Sequence, residues 1–141
     1  MSITAFVFAR GGSKGVKNKN IYPVAGKPLI GHTIVSALAS QSIGQVVVST
    51  DDAQIADVAH EFGATVLLRP AELAADTTPE VLAWRHAIQS FAALFSGEHA
   101  QPFVSLPATS PLRAPQDIDA AVERFNAVPC DILFGISPAH R

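Results

Sequence analysis

The sequence predicts a three-layer α/β fold, in which a mostly parallel sheet lies between helices. Apolar runs rich in β-branched or aromatic residues, which are typical of buried strands, recur along the chain. Segments with helical spacing lie between these runs, and this alternation is typical of a Rossmann-like sheet. The 141 residues have the length of one domain, so we expect a single unit over residues 1–141.

Each predicted element has its own local signal. The predicted strands cover residues 3–9, 45–49, 64–68, 102–106 and 131–136. The predicted helices cover residues 28–40, 52–62, 79–95 and 115–127. Asp51 or Asp52 is expected to cap the second helix and Thr78 the third, with Pro79 in its first turn. The run at 3–9 is the most uniformly apolar, so we expect it to be an interior strand of the sheet.

Composition excludes several classes of protein. The net charge is −2, without the broad excess of Lys and Arg that nucleic-acid binding needs. No window approaches about 18 uncharged apolar residues, and the N-terminal apolar run is short, so neither a membrane span nor a signal peptide is predicted. The single cysteine, Cys130, cannot form an internal disulfide, which favours a cytoplasmic setting and a thiol without a role in chemistry.

The segment at residues 8–21 carries four of the ten Lys and Arg residues on a flexible backbone. Its glycines are Gly11, Gly12 and Gly15, which permit positive φ and let amide N–H groups face an anion. The spacing fits neither the Walker A motif nor the dinucleotide fingerprint. The cations around the turn are Arg10, Lys14, Lys17 and Lys19. The segment therefore predicts a phosphate-binding loop; the alternative is a solvated basic loop.

Other polar residues follow later strands, where parallel sheets place their ligands. Arg69 could reach a base or a phosphate, or it could pair with a surface acid. The segment LPATSPLR at 106–113 offers hydroxyl groups and a guanidinium, although Ser110 could instead stabilise a turn. Asp51 and Asp52 could bind a metal, but a helix begins directly after them, and we favour capping.

Four ordered stretches carry a resemblance to a known family. They are ARGGSKGVKNKNI (9–21), VVVSTDDAQIADVAHEFGA (46–64), LLRPAELAADTTP (67–79) and LPATSPLR (106–113). Together they resemble the acylneuraminate cytidylyltransferases, also called CMP-sialic acid synthetases, and the similarity spans residues 3–137. The synthetases for Kdo share the fold and the first loop but resemble the later stretches less well.

The resemblance implies an enzyme that transfers CMP from CTP to the anomeric hydroxyl of a nine-carbon acidic sugar, with release of pyrophosphate and a requirement for Mg²⁺. It implies that Arg10 and Lys19 meet the triphosphate in catalysis. The implied nucleotide-binding residues are Arg10, Gly11, Gly12, Ser13, Lys14, Lys19, Asn20 and Arg69. The sugar would contact Thr109, Ser110 and Arg113. Sialic acid synthetases often have Gln where this chain has Pro107, so a related acid such as legionaminic or pseudaminic acid stays open.

Family members also continue beyond this length, with a dimerisation segment and a late pair of aspartates that hold the metal. We therefore expect an incomplete domain without metal ligands of its own, taken from a parent that forms a homodimer. The alternative to an enzyme is a module that binds CTP or CMP without turnover.

Overall fold

A computed structural model describes residues 2–95 and 102–136. Its main sheet has four parallel strands in the order β5-β4-β1-β6. These strands are β1 (Ile3–Phe8), β4 (Ile43–Thr50), β5 (Thr65–Leu68) and β6 (Phe103–Ser105). Because β1 pairs with β4 on one side and β6 on the other, the prediction of an interior first strand is confirmed.

Four helices cover the two faces of this sheet. They are α1 (Leu29–Ala39), α2 (Ala53–Glu61), α3 (Glu80–Leu94) and α4 (Pro115–Ala127). Ala5 and Val7 point to the core shared with α1, α2 and α4, whereas Phe6 between them points to the core shared with α3. Alternation along β1 thus supplies both cores, and the predicted three-layer α/β fold is confirmed.

The face under α3 is aromatic. The Phe6 ring meets Phe91 and Phe103 edge to face, at centroid distances of 6.1 and 5.6 Å. Trp84 packs against Phe8 and Phe103 at 6.3 and 6.1 Å. The only tryptophan is therefore a packing residue, as its helical spacing predicts.

A small hairpin separates the first loop from α1, and the sequence patterns did not indicate it. Its strands are β2 (Pro23–Val24) and β3 (Lys27–Pro28), joined through Ala25 and Gly26 at φ 47° and 82°. The His32 ring contacts the Val24 carbonyl at 2.6 Å and fastens the hairpin to α1. The helix begins after this hairpin, at Leu29.

The predicted strand at residues 131–136 is wrong. This segment is irregular, and Ile132, Phe134 and Ile136 are 65%, 73% and 94% exposed. A strand needs a partner for its backbone groups, and no described strand pairs with these residues. The surface loop predicted at 96–101 lies outside the described residues.

At the amino edge of the sheet, Asp119 of α4 fastens the turn before β4. Its carboxylate accepts hydrogen bonds from Ser40 Oγ at 2.5 Å and from the N–H groups of Gln41 and Ser42 at 3.3 and 2.9 Å. The Ser40 hydroxyl, followed by the backbone donors, lowers the pKa of Asp119 to about 2. These hydrogen bonds hold α4 against the turn that precedes β4.

Candidate functional site

The carboxyl ends of the strands bring the predicted site residues to one edge of the sheet. The ladder extends one residue past β1 and β5: Ala9 N–H donates to the Ser49 carbonyl at 3.0 Å, and Arg69 N–H donates to the Thr50 carbonyl at 2.9 Å. The register of β1, β4 and β5 therefore places Arg10, Asp51 and Arg69 side by side, each directly beyond the carboxyl end of its strand. A carboxylate thus stands on the strand between two cations.

The glycine loop begins with a residue for which no side chain has room. Gly11 N–H donates to Asp51 Oδ1 at 2.9 Å, and a Cβ at Gly11 would lie 2.8 Å from Asp52 Oδ2. Gly12 has φ 66°, which favours glycine. Gly15 has neither constraint, so Gly12 is the one of the three loop glycines that uses the positive φ glycine permits. A Cβ at Gly15 would meet no atom within 4 Å.

Polar side chains inside the loop determine its shape. Ser13 Oγ donates to the Val16 carbonyl at 2.6 Å and accepts from Lys19 N–H at 3.0 Å. Asn20 is buried, and its amide donates to the Arg10 carbonyl at 3.0 Å. Two residues expected to hold the nucleotide therefore also position the backbone at Arg10 and Lys19.

A cavity of about 480 Å³ opens beside this loop. Its lining includes three cations, Arg10, Lys14 and Lys19, together with Ser13 and Asn20. Gly11 and Gly12 line an adjacent smaller recess. Five of the predicted nucleotide-binding residues thus border one space large enough for a small ligand.

The sequence patterns missed two acidic residues at this site. Glu80, at the start of α3, lines the cavity. Asp76 forms ion pairs with both Arg10 and Lys14. Asp76 and Arg10 are 66 residues apart, so no local pattern could have paired them.

The adjacent aspartates after β4 have different tasks. Asp52 Oδ1 accepts from the N–H groups of Gln54 and Ile55 at 2.8 and 3.0 Å, which confirms it as the cap of α2. Asp51 holds Gly11 instead of capping. Thr78 was also expected to cap a helix, but its hydroxyl donates to the Glu72 carbonyl at 2.8 Å, and Pro79 stands at the cap position of α3.

The donors at this edge do not form a metal site by themselves. No group of three or more Asp, Glu, His or Cys side chains lies together within residues 2–95 and 102–136. Asp51 and Asp52 already accept backbone N–H groups, and Asp76 is paired with cations. The described residues therefore do not form a metal site made of protein ligands alone.

Arg69 is a buried cation directly after β5, with only 8% of its surface exposed, and it is not among the described residues that line the cavity or the recess. Burial lowers the pKa of its guanidinium; the charge of Asp51 opposes this shift and that of Arg10 adds to it. Its Nη1 donates to the Leu73 carbonyl at 3.5 Å, and its Nε has no hydrogen-bond partner within the described part of the chain. Arg69 thus keeps a buried donor without a described partner at the carboxyl edge of the sheet.

The loop at 106–113 contributes only in part to the cavity. Thr109 lies in the lining, whereas Ser110 and Arg113 are not among the described residues that line it. The Ser110 N–H closes a turn onto the Pro107 carbonyl at 3.3 Å. The Arg113 carbonyl accepts from Ser36 Oγ of α1 at 2.7 Å, and burial lowers the pKa of its guanidinium, an effect that Asp117 opposes.

The profile of a protein family described as cytidylyltransferase matches residues 4–132. The chain belongs to the cytidylyltransferase family. The match includes all four stretches on which the resemblance rests, and it covers the glycine loop, both aspartates after β4, Arg69 and the loop at 106–113.

The chain is similar to proteins whose names specify acidic sugars. It is 44% identical over 128 residues to the CMP-N,N'-diacetyllegionaminic acid synthase of Legionella pneumophila, covering 87% of this chain and 53% of the relative. It is 37% identical over 126 residues to an N-acylneuraminate cytidylyltransferase of Escherichia coli, covering 89% of this chain and 29% of the relative. The chain thus spans about half, or less, of the length of these relatives.

Solved structures show the same fold. The CMP:2-keto-3-deoxy-manno-octonic acid synthetase in complex with CTP superposes with a TM-score of 0.76 at 20% identity, over 92% of this chain and 49% of that one. A 4-diphosphocytidyl-2C-methyl-D-erythritol synthase superposes with a TM-score of 0.68 at 11% identity, over 88% of this chain and 54% of that one. The cytidylyltransferase chain therefore has a nucleotidyltransferase fold. Within its described residues, none of the helices has the length and apolar character needed to cross a bilayer.

Proposed function

We propose that this chain is the nucleotide-binding part of a cytidylyltransferase that transfers CMP from CTP to an acidic nine-carbon sugar. The observation that carries the proposal is the convergence of Arg10, Lys14 and Lys19 on one cavity at the carboxyl edge of the sheet. Fixed cations beside backbone donors suit a chain of phosphates. That the nucleotide is a cytidine nucleotide is inferred from membership of the cytidylyltransferase family.

The proposed reaction forms one bond and breaks another. The anomeric hydroxyl oxygen of the sugar bonds to the α-phosphorus of CTP and loses its proton, while the bond from that phosphorus to the bridging oxygen breaks and pyrophosphate leaves. Arg10 and Lys19 stabilise the charge that moves onto the pyrophosphate, and loss of such a contact lowers the rate by about 10²-fold. Gly11, Gly12, Ser13, Lys14, Asn20 and Arg69 hold the nucleotide.

The sugar would lie against the loop at 106–113. Thr109 already faces the cavity, and Ser110 and Arg113 stand in the same loop. The names of the relatives support legionaminic or N-acylneuraminic acid as the acceptor class. The Kdo synthetase shares the fold at 20% identity, so a Kdo-type acceptor is the second candidate.

Magnesium, assembly and location belong to the same proposal. We infer that Mg²⁺ is bound by the phosphate oxygens of CTP and by residues outside the described ones, since these residues lack a ligand set. A homodimeric parent follows from the family resemblance. The lone thiol of Cys130 supports a cytoplasmic location.

The test is product formation. A longer protein that contains this chain together with the remaining metal ligands is incubated with CTP, Mg²⁺ and either legionaminic, N-acetylneuraminic or Kdo acid, and CMP-sugar and pyrophosphate are measured by chromatography. We expect CMP-sugar with one of the first two acids. Binding of CTP without any product would support the binding module instead, and failure to bind CTP would contradict both.

A further inference from the structure

Asp76 occupies the position of an anion on the glycine loop. Its Oδ1 pairs with Arg10 Nη1 and its Oδ2 pairs with Lys14 Nζ, so that each carboxylate oxygen takes one cation. A phosphate group would use the same two cations through two of its oxygens. A phosphate on these side chains would therefore compete with the carboxylate for Arg10 Nη1 and Lys14 Nζ.

The segment that carries Asp76 is held mainly by hydrogen bonds between its own residues. Leu73 N–H donates to the Pro70 carbonyl at 2.9 Å, and Thr78 Oγ1 donates to the Glu72 carbonyl at 2.8 Å. Arg69 Nη1 reaches the Leu73 carbonyl at 3.5 Å. These bonds hold residues 70–78 as a local turn, so the segment keeps its shape when the Asp76 ion pairs open.

The ion pairs themselves are weak enough to be displaced. The side chains of Arg10 and Lys14 are 41% and 81% exposed, and that of Asp76 is 34% exposed. Exposed pairs of this kind contribute little, because solvent screens them. A ligand with several negative charges therefore replaces the single charge of the carboxylate, whereas an uncharged ligand has no means to do so.

We propose that Asp76 is an internal competitor for the phosphate site and a specificity-determining residue of this loop. It satisfies Arg10 and Lys14 when no ligand is bound, and it sets the minimum charge that a ligand needs. The inference rests on the proposed function, because it takes the loop as a phosphate site. It makes Asp76 lower the affinity for every anion at this site while leaving nucleoside binding unchanged.

The experiment is calorimetric titration of the 141-residue chain with inorganic pyrophosphate and, separately, with cytidine. Asp76→Asn keeps the size of the side chain and removes its charge. We expect Asp76→Asn to bind pyrophosphate about 3- to 10-fold more tightly, the gain expected from removing two exposed ion pairs. Cytidine affinity should change less than about 2-fold, a contrast that a general change in structure would not produce.

Asp57 provides the matched control. It is exposed on α2 and takes no part in the ion pairs of Arg10 and Lys14, so Asp57→Asn removes the same charge without breaking them. We expect its pyrophosphate affinity to stay within about 2-fold of the parent, since solvent screens an exposed charge that makes no direct contact with the site. A gain equal to that of Asp76→Asn would overturn the inference, because net charge alone would then explain it. Asp76→Ser, judged folded by circular dichroism, replaces Asp76→Asn if the amide variant does not fold.

The failure of this inference is distinguishable from failure of the proposed function. If Arg10→Ala weakens pyrophosphate binding but Asp76→Asn does not strengthen it, the phosphate site stands and the competitor role is wrong. If Arg10→Ala leaves pyrophosphate binding unchanged, the phosphate site itself is wrong. If neither the parent nor Asp76→Asn binds pyrophosphate, both are wrong.

Discussion

The loops at residues 10–20 and 106–113 border the same cavity but are held in different ways. Ser13 and Asn20 bond to groups of their own loop. The other loop is held from outside by α1, through Thr33 Oγ1 to the Pro107 carbonyl at 3.5 Å and Ser36 Oγ to the Arg113 carbonyl at 2.7 Å. The cation loop thus has hydrogen bonds of its own in addition to its contacts with Asp51 and Asp76, whereas the second loop is positioned by a helix.

The largest effect should come from the cations of the first loop. Arg10→Ala or Lys19→Ala should weaken CTP about 10- to 100-fold, because each removes a charge-assisted contact to phosphate. Cytidine should bind nearly as well as to the parent. Calorimetry with both ligands checks this, with Lys27→Ala, an exposed lysine of the hairpin, as the control. Equal loss for CTP and cytidine, or no loss for CTP, would contradict the phosphate-binding role.

A smaller effect should follow from breaking the internal scaffold. Asn20→Ala removes the buried amide that holds the Arg10 carbonyl at 3.0 Å. We expect pyrophosphate affinity to fall about 2- to 10-fold, which is the contribution of one neutral hydrogen bond. Pyrophosphate has neither base nor ribose, so this loss would come from the changed position of the loop backbone. Pyrophosphate titration is the measurement. If only cytidine-containing ligands were weakened, Asn20 would act on the nucleoside and not on the loop.

The second loop should respond to a change in α1. Ser36→Ala removes the bond to the Arg113 carbonyl and should lower affinity for the acidic sugar about 2- to 5-fold, since one hydrogen bond is lost. Pyrophosphate affinity should stay at the parent value. Sugar KM and pyrophosphate Kd are the two readouts, and Ser36→Thr should restore the sugar KM. A change in pyrophosphate affinity would show that the two loops are not independent.

The smallest effect on either loop should come from Asp119, at the opposite edge of the sheet. Its pKa of about 2 lies below the ordinary value of 3.8, so the unfolded chain takes up the proton more readily. The stability that Asp119 contributes is complete above about pH 4 and is lost as the pH falls towards 2. Urea midpoints from pH 2 to 6 should show a steeper acid loss in the parent than in Asp119→Ala. Parallel curves would contradict this role.

The fold was predictable because its signals are local. The apolar run of β1, the helical spacing around Trp84 and the carboxylate of Asp52 act within a few residues, so the patterns identified the layers, the core aromatic and the cap. The prediction of a strand at residues 131–136 was wrong for a physical reason: an apolar run forms a strand only where a partner strand exists, and no described strand pairs with this segment. The hairpin was missed because its turn contains Ala25 at positive φ, which alanine rarely adopts.

The site was predictable in residue type but not in pairing. Glycines and cations after a strand indicate anion binding, and the cavity gathers them. The ion pairs of Asp76 and the bond from Gly11 to Asp51 join residues 40 or more positions apart, so only the folded chain reveals them. Ser13 and Asn20 remain predicted ligand contacts, and their bonds within the loop were not visible in the sequence, because a polar side chain that shapes a loop has the same residue type as one that binds a ligand.

The row of Arg10, Asp51 and Arg69 also has a consequence for the order of folding. Its members come from three strands, and the Asp76 partner of Arg10 is 66 residues further along the chain. Contacts across such separations form only after the intervening chain has closed into loops. On a ribosome, the row would therefore be incomplete until residue 69 had emerged and β5 had docked, and Arg10 would gain its Asp76 partner only after residue 76 had followed. The ion pair of Arg10 with Asp76 would then report completed assembly of this half of the sheet, and not the presence of the glycine loop alone.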